Sequence, residues 1–144
     1  MSELNLLVKR ISNTAKLPTK AHESDMCFDL YSDRVTIAKP NSLTKIYTGI
    51  ACKFPNGYGG LIQDRSSIST QKELFKVAGV IDAGYRGEIV IVLRNPTKFK
   101  IIVNSGEKIA QLQLVEQITA NIVEVNELDS TDRNDRGFGS TGTS

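Results

Sequence analysis

The chain has 144 residues, enough for one domain with a buried core but few for two. Its hydrophobic fraction of 40% and charged fraction of 24% are typical of soluble globular proteins, and no apolar run approaches the roughly 18 residues of a membrane span. The net charge of +2 is small for a protein that grips long nucleic acid through many phosphates. We therefore expect a soluble protein with neither a nucleic-acid nor a membrane partner. Since its first residues, MSELNLLVKR, do not resemble a signal peptide, we expect a cytoplasmic location, or the host cell interior for a viral protein.

Most of the chain alternates between apolar and polar residues in the manner of half-buried strands. In the segment 43–54 one face carries Ile46, Thr48, Ile50, Cys52 and Phe54. Shorter apolar runs predict further strands at 4–11, 35–37, 89–93, 99–103, 112–115 and 122–125. Turn-forming residues separate these runs, and no βαβ alternation is visible. The pattern predicts an all-β fold, a jelly-roll-like sandwich or barrel.

One short helix and one polar tail complete the predicted elements. Thr70 and Glu73 form a capping-box pattern at the start of TQKELF, which predicts a helix of one or two turns. From Asp129 to Ser144 the only large apolar residue is Phe138, so this segment cannot bury itself. We therefore expect a β domain over residues 1–128 and a flexible C-terminal tail over residues 129–144.

The rare residue types exclude several kinds of catalytic site. Cys27 and Cys52 lie far apart without a CxxC spacing, so we expect two buried free thiols. His22 is the single histidine, and its neighbours match no nucleophile motif. The HxE and PCxxC elements of zinc-dependent deaminases are also absent from the sequence.

Five segments, in order and spacing, resemble the five motifs of the homotrimeric dUTPase family. They are FDLYSD (28–33), DRSSIS (64–69), GVIDAGYRGE (79–88), GEKIAQL (106–112) and RNDRGFGSTG (133–142). The resemblance spans nearly the whole chain. It implies hydrolysis of dUTP to dUMP and pyrophosphate with Mg²⁺, which keeps uracil out of DNA and supplies dUMP for dTMP synthesis. It also implies a homotrimer whose active sites are shared between subunits.

The third motif implies the catalytic base and the nucleoside site. A carboxylate within about 3 Å of a water can act as its general base, and the resemblance assigns this role to Asp82, with attack at the α-phosphorus. A turn-capping aspartate is the alternative interpretation. Tyr85 matches the aromatic residue that stacks on the deoxyribose and leaves no room for a 2′-hydroxyl. The base would be read mainly by backbone groups of Gly79, Val80, Ile81 and the residues up to Tyr85, and near Val90.

The other body motifs imply the phosphate site. Arg65, Ser66 and Ser67 offer a guanidinium, two hydroxyls and adjacent amides on a turn before the short helix, and the resemblance makes them phosphate ligands. Gln111 matches a glutamine near the phosphates, although it could also be an outward residue of a strand. Asp29 matches an acidic residue that organises the metal's water shell, so we expect no direct side-chain ligand to Mg²⁺.

The tail motif implies a lid that orders over the bound nucleotide. Arg133 would pair with the γ-phosphate, Phe138 would stack on uracil, and the phosphates would be wrapped by Gly139, Ser140 and Thr141. The alternative is a solubilising tail. Asn134 and Arg136 replace the more usual glycines, which can stiffen the lid.

The sequence departs from the family's motifs at two further positions, and two rival functions have to be weighed. Asp64 stands where many members have proline, and Lys108 stands where arginine is usual. A related dCTP deaminase needs a glutamate ten residues beyond the turn aspartate, where this sequence has Val92. The second rival is a trimeric dUTP-binding module that regulates a partner.

Overall fold

The computed structural model describes residues 3–137. Within this range the chain forms ten strands and one short helix. They are β1 (Leu7–Arg10), β2 (Cys27–Tyr31), β3 (Thr36–Ala38), β4 (Ser42–Lys53), β5 (Tyr58–Asp64), α1 (Ser66–Gln71), β6 (Phe75–Val77), β7 (Val80–Ile81), β8 (Glu88–Asn95), β9 (Ile101–Val103) and β10 (Lys108–Glu116).

The strands form two four-stranded sheets and a two-stranded ribbon. One sheet has the order β1-β4-β8-β6, the other has the order β2-β10-β5-β7, and β3 pairs with β9. Neighbouring strands in all three run antiparallel. The predicted all-β, jelly-roll-like class is confirmed.

The core lies between the inner faces of the two sheets. The side chains predicted to share one face of β4 are all buried. They are Ile46, Thr48, Ile50, Cys52 and Phe54, the last of which directly follows the strand. Leu30, Ile62 and Leu112 fill the core from the other sheet. The alternation in the sequence therefore identified the inner face of the longest strand correctly.

Helix α1 begins earlier than the capping-box pattern predicts. It spans Ser66–Gln71, so Thr70 lies in its last turn and donates its hydroxyl to the Ser66 carbonyl at 2.6 Å. Glu73 lies beyond the helix with φ of +56°. The helix directly follows β5, and this position buries Ile68 and Leu74 in the core. That burial outweighs the local capping preference.

The predicted strand at 122–125 is wrong. Residues 117–137 pair with no strand of the described chain and are exposed throughout. A strand needs a neighbour for its backbone groups, and the described part of one chain provides none here. No helix within residues 3–137 is long and apolar enough to cross a membrane.

Candidate functional site

A cavity of about 210 Å³ opens between the facing edges of the two sheets. It is bordered by the end of β6, by β7 and by the first half of β8. Of the residues expected from the sequence to surround the nucleoside, the lining includes Gly79, Val80, Ile81, Tyr85 and Val90, but not residues 82–84. The structure therefore brings these five residues together in one chain.

Close backbone pairing at β5 shapes the floor of this cavity. The Ile62 amide donates to the Gly79 carbonyl at 2.7 Å. A Cβ added to Gly79 would lie 2.9 Å from the Ile62 carbonyl oxygen, too close for any side chain. Glycine at this position thus lets the segment before β7 approach β5 closely.

Asp82 opens the turn that connects β7 in one sheet to β8 in the other. The Tyr85 amide donates to the Asp82 carbonyl at 3.0 Å, which forms a tight turn over these four residues. The Asp82 side chain is exposed and makes no hydrogen bond to another described residue. It does not line the cavity, but its neighbour Ile81 does. The carboxylate is therefore at the rim, accessible to a water and a ligand.

Tyr85 is fixed by contacts within the connection from β7 to β8. Its hydroxyl donates to the Glu88 carbonyl at 2.7 Å. A Cβ on Gly87 would lie 2.5 Å from the Tyr85 hydroxyl oxygen, so the ring packs directly on this glycine. The ring is 46% exposed and can contact a ligand in the cavity.

A second group of predicted residues forms a charged cluster around Asp29 on β2. One carboxylate oxygen accepts from Arg65 Nε at 3.2 Å, and the other lies 3.4 Å from Lys108 Nζ. Arg65 also donates to the Ser67 hydroxyl through Nη1. The side chains are 15% to 37% exposed, so two cations are oriented by one carboxylate while remaining open to solvent.

Gln111 belongs to the same cluster. It lies in register between Asp29 on β2 and Gln63 on β5, and its Nε2 donates to the Asp64 carbonyl at 2.9 Å. Ser66 lies in the first turn of α1 with an exposed side chain. The expectation that Ser66 and Ser67 precede the helix is wrong, because both belong to it.

The Asp82 turn and the charged cluster lie at opposite ends of β5. Gly60 pairs with Ile81, so the Asp82 turn lies beside Gly59. Arg65 follows the other end of the strand. Six residues of extended chain therefore separate the Asp82 turn from Arg65 by about 20 Å. One chain therefore does not bring the Asp82 turn to the charged cluster.

The tail residues join neither group. Arg133 is exposed in a turn, where its Nε donates to the Arg136 carbonyl at 2.7 Å. Asn134 has φ of +47°, a conformation that asparagine tolerates better than most residues. Phe138, Gly139, Ser140 and Thr141 lie outside the described residues.

The two thiols have raised pKa values. Burial raises the pKa of Cys52 to about 11. Cys27 is only half-buried, so the expectation of two buried thiols holds for Cys52 alone. Burial raises the pKa of Cys27, Lys20 opposes that shift, and Asp29 adds to it. Since the thiolate is the reactive form, neither group is activated as a nucleophile.

Two charged side chains at the cavity were not identified from the sequence. Lys76 and Glu88 both border it. Lys76 lies outside all five motifs, and its position depends on the pairing of β6 with β8, which no local pattern shows. Glu88 ends the third motif, but its contact with the Gly49 amide at 3.0 Å depends on a bulge in β4.

The chain is similar to known proteins over most of its length. The dUTPase family model matches residues 13–142. The deoxyuridine 5′-triphosphate nucleotidohydrolase of Alkaliphilus metalliredigens (strain QYMF) is 38% identical over 140 residues, which are 96% of this chain and 97% of that protein. The enzyme of the same description from Paramecium bursaria Chlorella virus 1 is 36% identical over 138 residues, 96% of this chain and 98% of that protein.

Solved structures show the same likeness. The Staphylococcus bacteriophage 80alpha dUTPase with dUPNHPP has a TM-score of 0.87 at 30% identity, covering 96% of this chain and 99% of that chain. A variant of the dUTPase from phage phi11 of S. aureus, described with a structural Mg(II) ion, has a TM-score of 0.81 at 28% identity. That match covers 88% of this chain and 99% of the phage chain.

Proposed function

This chain belongs to the dUTPase family and hydrolyses dUTP to dUMP and pyrophosphate, and from that premise we propose a site shared between the subunits of a homotrimer, with Asp82 as its general base. In this proposal the enzyme works in the cytoplasm, where it keeps uracil out of DNA and supplies dUMP for dTMP synthesis.

The separation of the Asp82 turn from the charged cluster carries the proposal. The Asp82 turn and Arg65 lie about 20 Å apart at the two ends of β5. The three phosphates of one nucleotide follow one another directly, so a single chain cannot place its own Asp82 at the α-phosphorus and its own Arg65 on the same triphosphate. A neighbouring subunit supplies the second group, and three-fold symmetry repeats the arrangement.

The nucleoside occupies the cavity beside the Asp82 turn. Apart from Lys76, Tyr85 and Glu88 its lining residues are aliphatic or glycine, which suits a neutral planar base. Fixed backbone donors and acceptors at Gly79, Val80, Ile81 and Val90 match the uracil edge and mismatch the cytosine edge. Tyr85 stacks on the deoxyribose.

The triphosphate is held by the charged cluster of a neighbouring subunit. Arg65, Ser66, Ser67 and Gln111 donate to its oxygens, and the Lys108 ammonium adds a charge beside them. Asp29 orients Arg65 and Lys108 before any ligand arrives, so these two cations need little reorganisation on binding.

The donor set fits a Mg²⁺ ion bound through water. Arg65 and Lys108 each occupy one oxygen of Asp29, and a carboxylate has lone pairs left to accept hydrogen bonds from metal-bound waters. Asp29 would therefore hold the hydrated ion without ligating it directly. When bound, Mg²⁺ neutralises part of the phosphate charge.

Chemistry begins with a water beside Asp82. The carboxylate accepts a proton as the water oxygen bonds to the α-phosphorus, and the bond to the oxygen that bridges the α- and β-phosphates breaks. Pyrophosphate leaves with the electrons of that bond, and dUMP remains. The exposed, uncommitted Asp82 carboxylate at the cavity rim supports this role.

Residues 129–144 close the site as a lid. Arg133 pairs with the γ-phosphate, Phe138 stacks on uracil, and Gly139, Ser140 and Thr141 wrap the phosphates. Arg133 is exposed, and the Arg133–Arg136 turn makes its hydrogen bonds internally, which leaves the segment able to move onto a ligand.

Replacing Asp82 by asparagine tests the general base. Asp82→Asn is nearly isosteric but cannot accept the proton of water, so we expect kcat to fall by about 10²- to 10⁴-fold while the affinity for dUMP stays within a factor of about three. Pyrophosphate release gives kcat, and calorimetry gives the affinity. Glu23→Gln, which removes an exposed carboxylate elsewhere, is the matched control and keeps full turnover. Near-normal kcat in Asp82→Asn would exclude the role.

The substrate range separates this function from its rivals. Pyrophosphate release is measured with dUTP, dCTP, dTTP and UTP, each with and without Mg²⁺. We expect turnover of dUTP far above the others and strongest with Mg²⁺. A deaminase would instead release ammonia from dCTP, and a purely regulatory module would bind dUTP without releasing pyrophosphate.

A further inference from the structure

Among the residues that the structure describes, the Lys76 ammonium at the cavity has no partner. Lys76, in β6, is half-buried and lines the cavity. Its Nζ is 3.5 Å from the point that a Cβ on Gly79 would occupy. Within residues 3–137 no carboxylate lies within 4 Å of this nitrogen, and it donates no hydrogen bond. A cation in this position can bind an acceptor that enters the cavity.

The backbone around Lys76 directs its side chain inward. Lys76 pairs with Leu93, a fully buried residue of β8, so both side chains are on the inner face of the sheet. β6 is the edge strand, which lets the lysine extend into the gap between the sheets. Its amide donates to Asp64 Oδ1 at 2.7 Å. Asp64 thereby fixes the point at which the side chain starts.

Lys76 and Tyr85 border opposite ends of the cavity. The Tyr85 hydroxyl bonds to the carbonyl of Glu88 at the start of β8. Lys76 pairs with Leu93, five residues further along β8. Five residues of strand correspond to about 17 Å. If Tyr85 stacks on the sugar, the part of a pyrimidine furthest from the sugar points toward Lys76. In the pyrimidine ring that part is C4, which lies opposite the glycosidic nitrogen.

We propose that the Lys76 ammonium donates a hydrogen bond to O4 of the uracil ring and thereby selects uracil over cytosine. Uracil presents an acceptor at C4, whereas cytosine presents an amino group that is a donor. An ammonium has donors only, so it matches the first and opposes the second. This inference rests on the proposed location of the base in the cavity, and it adds a side chain to the backbone groups that read the base.

Substituting Lys76 by methionine tests the contact. Lys76→Met keeps most of the aliphatic stem and removes the donor. A charged hydrogen bond to a ligand accounts for about 10- to 100-fold in affinity. We expect the KM for dUTP and the inhibition constant of dUMP to rise by about that factor, while kcat changes little. The inhibition constant of dCMP should change less, so the preference for dUMP over dCMP falls. An unchanged preference would overturn the inference.

A substrate analogue identifies the atom. In 4-thio-dUTP a sulfur, which is a weaker acceptor, replaces O4. We expect this exchange to raise KM in the parent enzyme and to have little effect in Lys76→Met, because the two changes remove the same contact. Equal effects of the exchange in both proteins would overturn the assignment to O4. Lys98→Met, a change at an exposed lysine that does not line the cavity, controls for the loss of one positive charge.

A cavity-filling variant separates this inference from the function it rests on. Val90→Phe narrows the cavity from β8, and thermal unfolding confirms that the variant is folded. If the base lies in the cavity, Val90→Phe weakens dUMP binding strongly. Unweakened binding in Val90→Phe would exclude the location of the base. Weakened binding there with an unchanged base preference in Lys76→Met would exclude only the role of Lys76.

Discussion

Tyr85 shows how single atoms define the end of the cavity proposed to hold the sugar. Its hydroxyl is bonded to the Glu88 carbonyl, and its ring lies against Gly87, where any side chain would collide with it. Gly84, in the turn before it, has open space around the position of an added Cβ. The orientation of the ring therefore depends on one glycine and is insensitive to its neighbour in the turn.

Replacing Tyr85 or displacing its ring should relax the choice of sugar. Tyr85→Ala opens the space that a 2′-hydroxyl needs, so we expect the ratio of kcat/KM for UTP to that for dUTP to rise by about tenfold or more, as for a contact of about 1.4 kcal/mol. Gly87→Ala should raise the same ratio by tilting the ring, whereas Gly84→Ala should not. The ratio is measured by pyrophosphate release. A ratio unchanged in both Tyr85→Ala and Gly87→Ala would mean that another group reads the sugar.

At the scale of elements, the sequence predicted what depends on local alternation and missed what depends on pairing. The inner face of β4 follows from period two alone, since Ile46, Thr48 and Ile50 are buried as expected. Helix α1 is displaced because the burial of Ile68 outweighs the capping box at Thr70. Lys76 could not be placed at the cavity from the sequence, because its position depends on the pairing of β6 with β8. The motifs predicted the members of the proposed site, but not their division into two groups.

Asn95 is a buried polar residue whose importance no motif indicated. At the end of β8 its Nδ2 donates to the carbonyls of Ala38 at 3.0 Å and Phe99 at 2.8 Å. Its Oδ1 accepts from the amide and the hydroxyl of Thr97, at 3.0 and 2.7 Å. One side chain thus connects a main sheet to the β3-β9 ribbon.

Asn95→Ala should lower the free energy of unfolding by about 2 to 4 kcal/mol, because it leaves several polar groups without partners. Denaturant unfolding measures this change. The control Asn56→Ala affects an exposed asparagine with no side-chain hydrogen bond to a described residue, and its effect should stay within about 0.5 kcal/mol. Equal effects of the two substitutions would contradict the proposed connection.

At the scale of the whole molecule, the segment after β10 favours assembly. Between Gln117 and Leu128 it exposes several large apolar side chains, namely Ile118, Ile122, Val123, Val125 and Leu128. Each is at least 56% exposed, which is unfavourable for a protein that stays monomeric. Burying one such side chain contributes about 1.5 to 3 kcal/mol. We infer that neighbouring subunits of the proposed homotrimer cover this segment.

Two truncations separate assembly from catalysis. A chain that ends at Leu128 keeps the apolar segment and loses the proposed lid with Arg133 and Phe138, so we expect a folded trimer with severely reduced turnover. Loss of a base-stacking contact alone costs about 1 to 3 kcal/mol in comparable sites. A chain that ends at Gln117 also loses the five apolar side chains, and we expect its trimer to dissociate. Light scattering coupled to size exclusion gives the subunit number, and pyrophosphate release gives the turnover. Full activity or a dissociated trimer in the first truncation would refute the lid. A stable trimer in the second would refute the role of the apolar segment, because that segment is held responsible for assembly and the lid for catalysis alone.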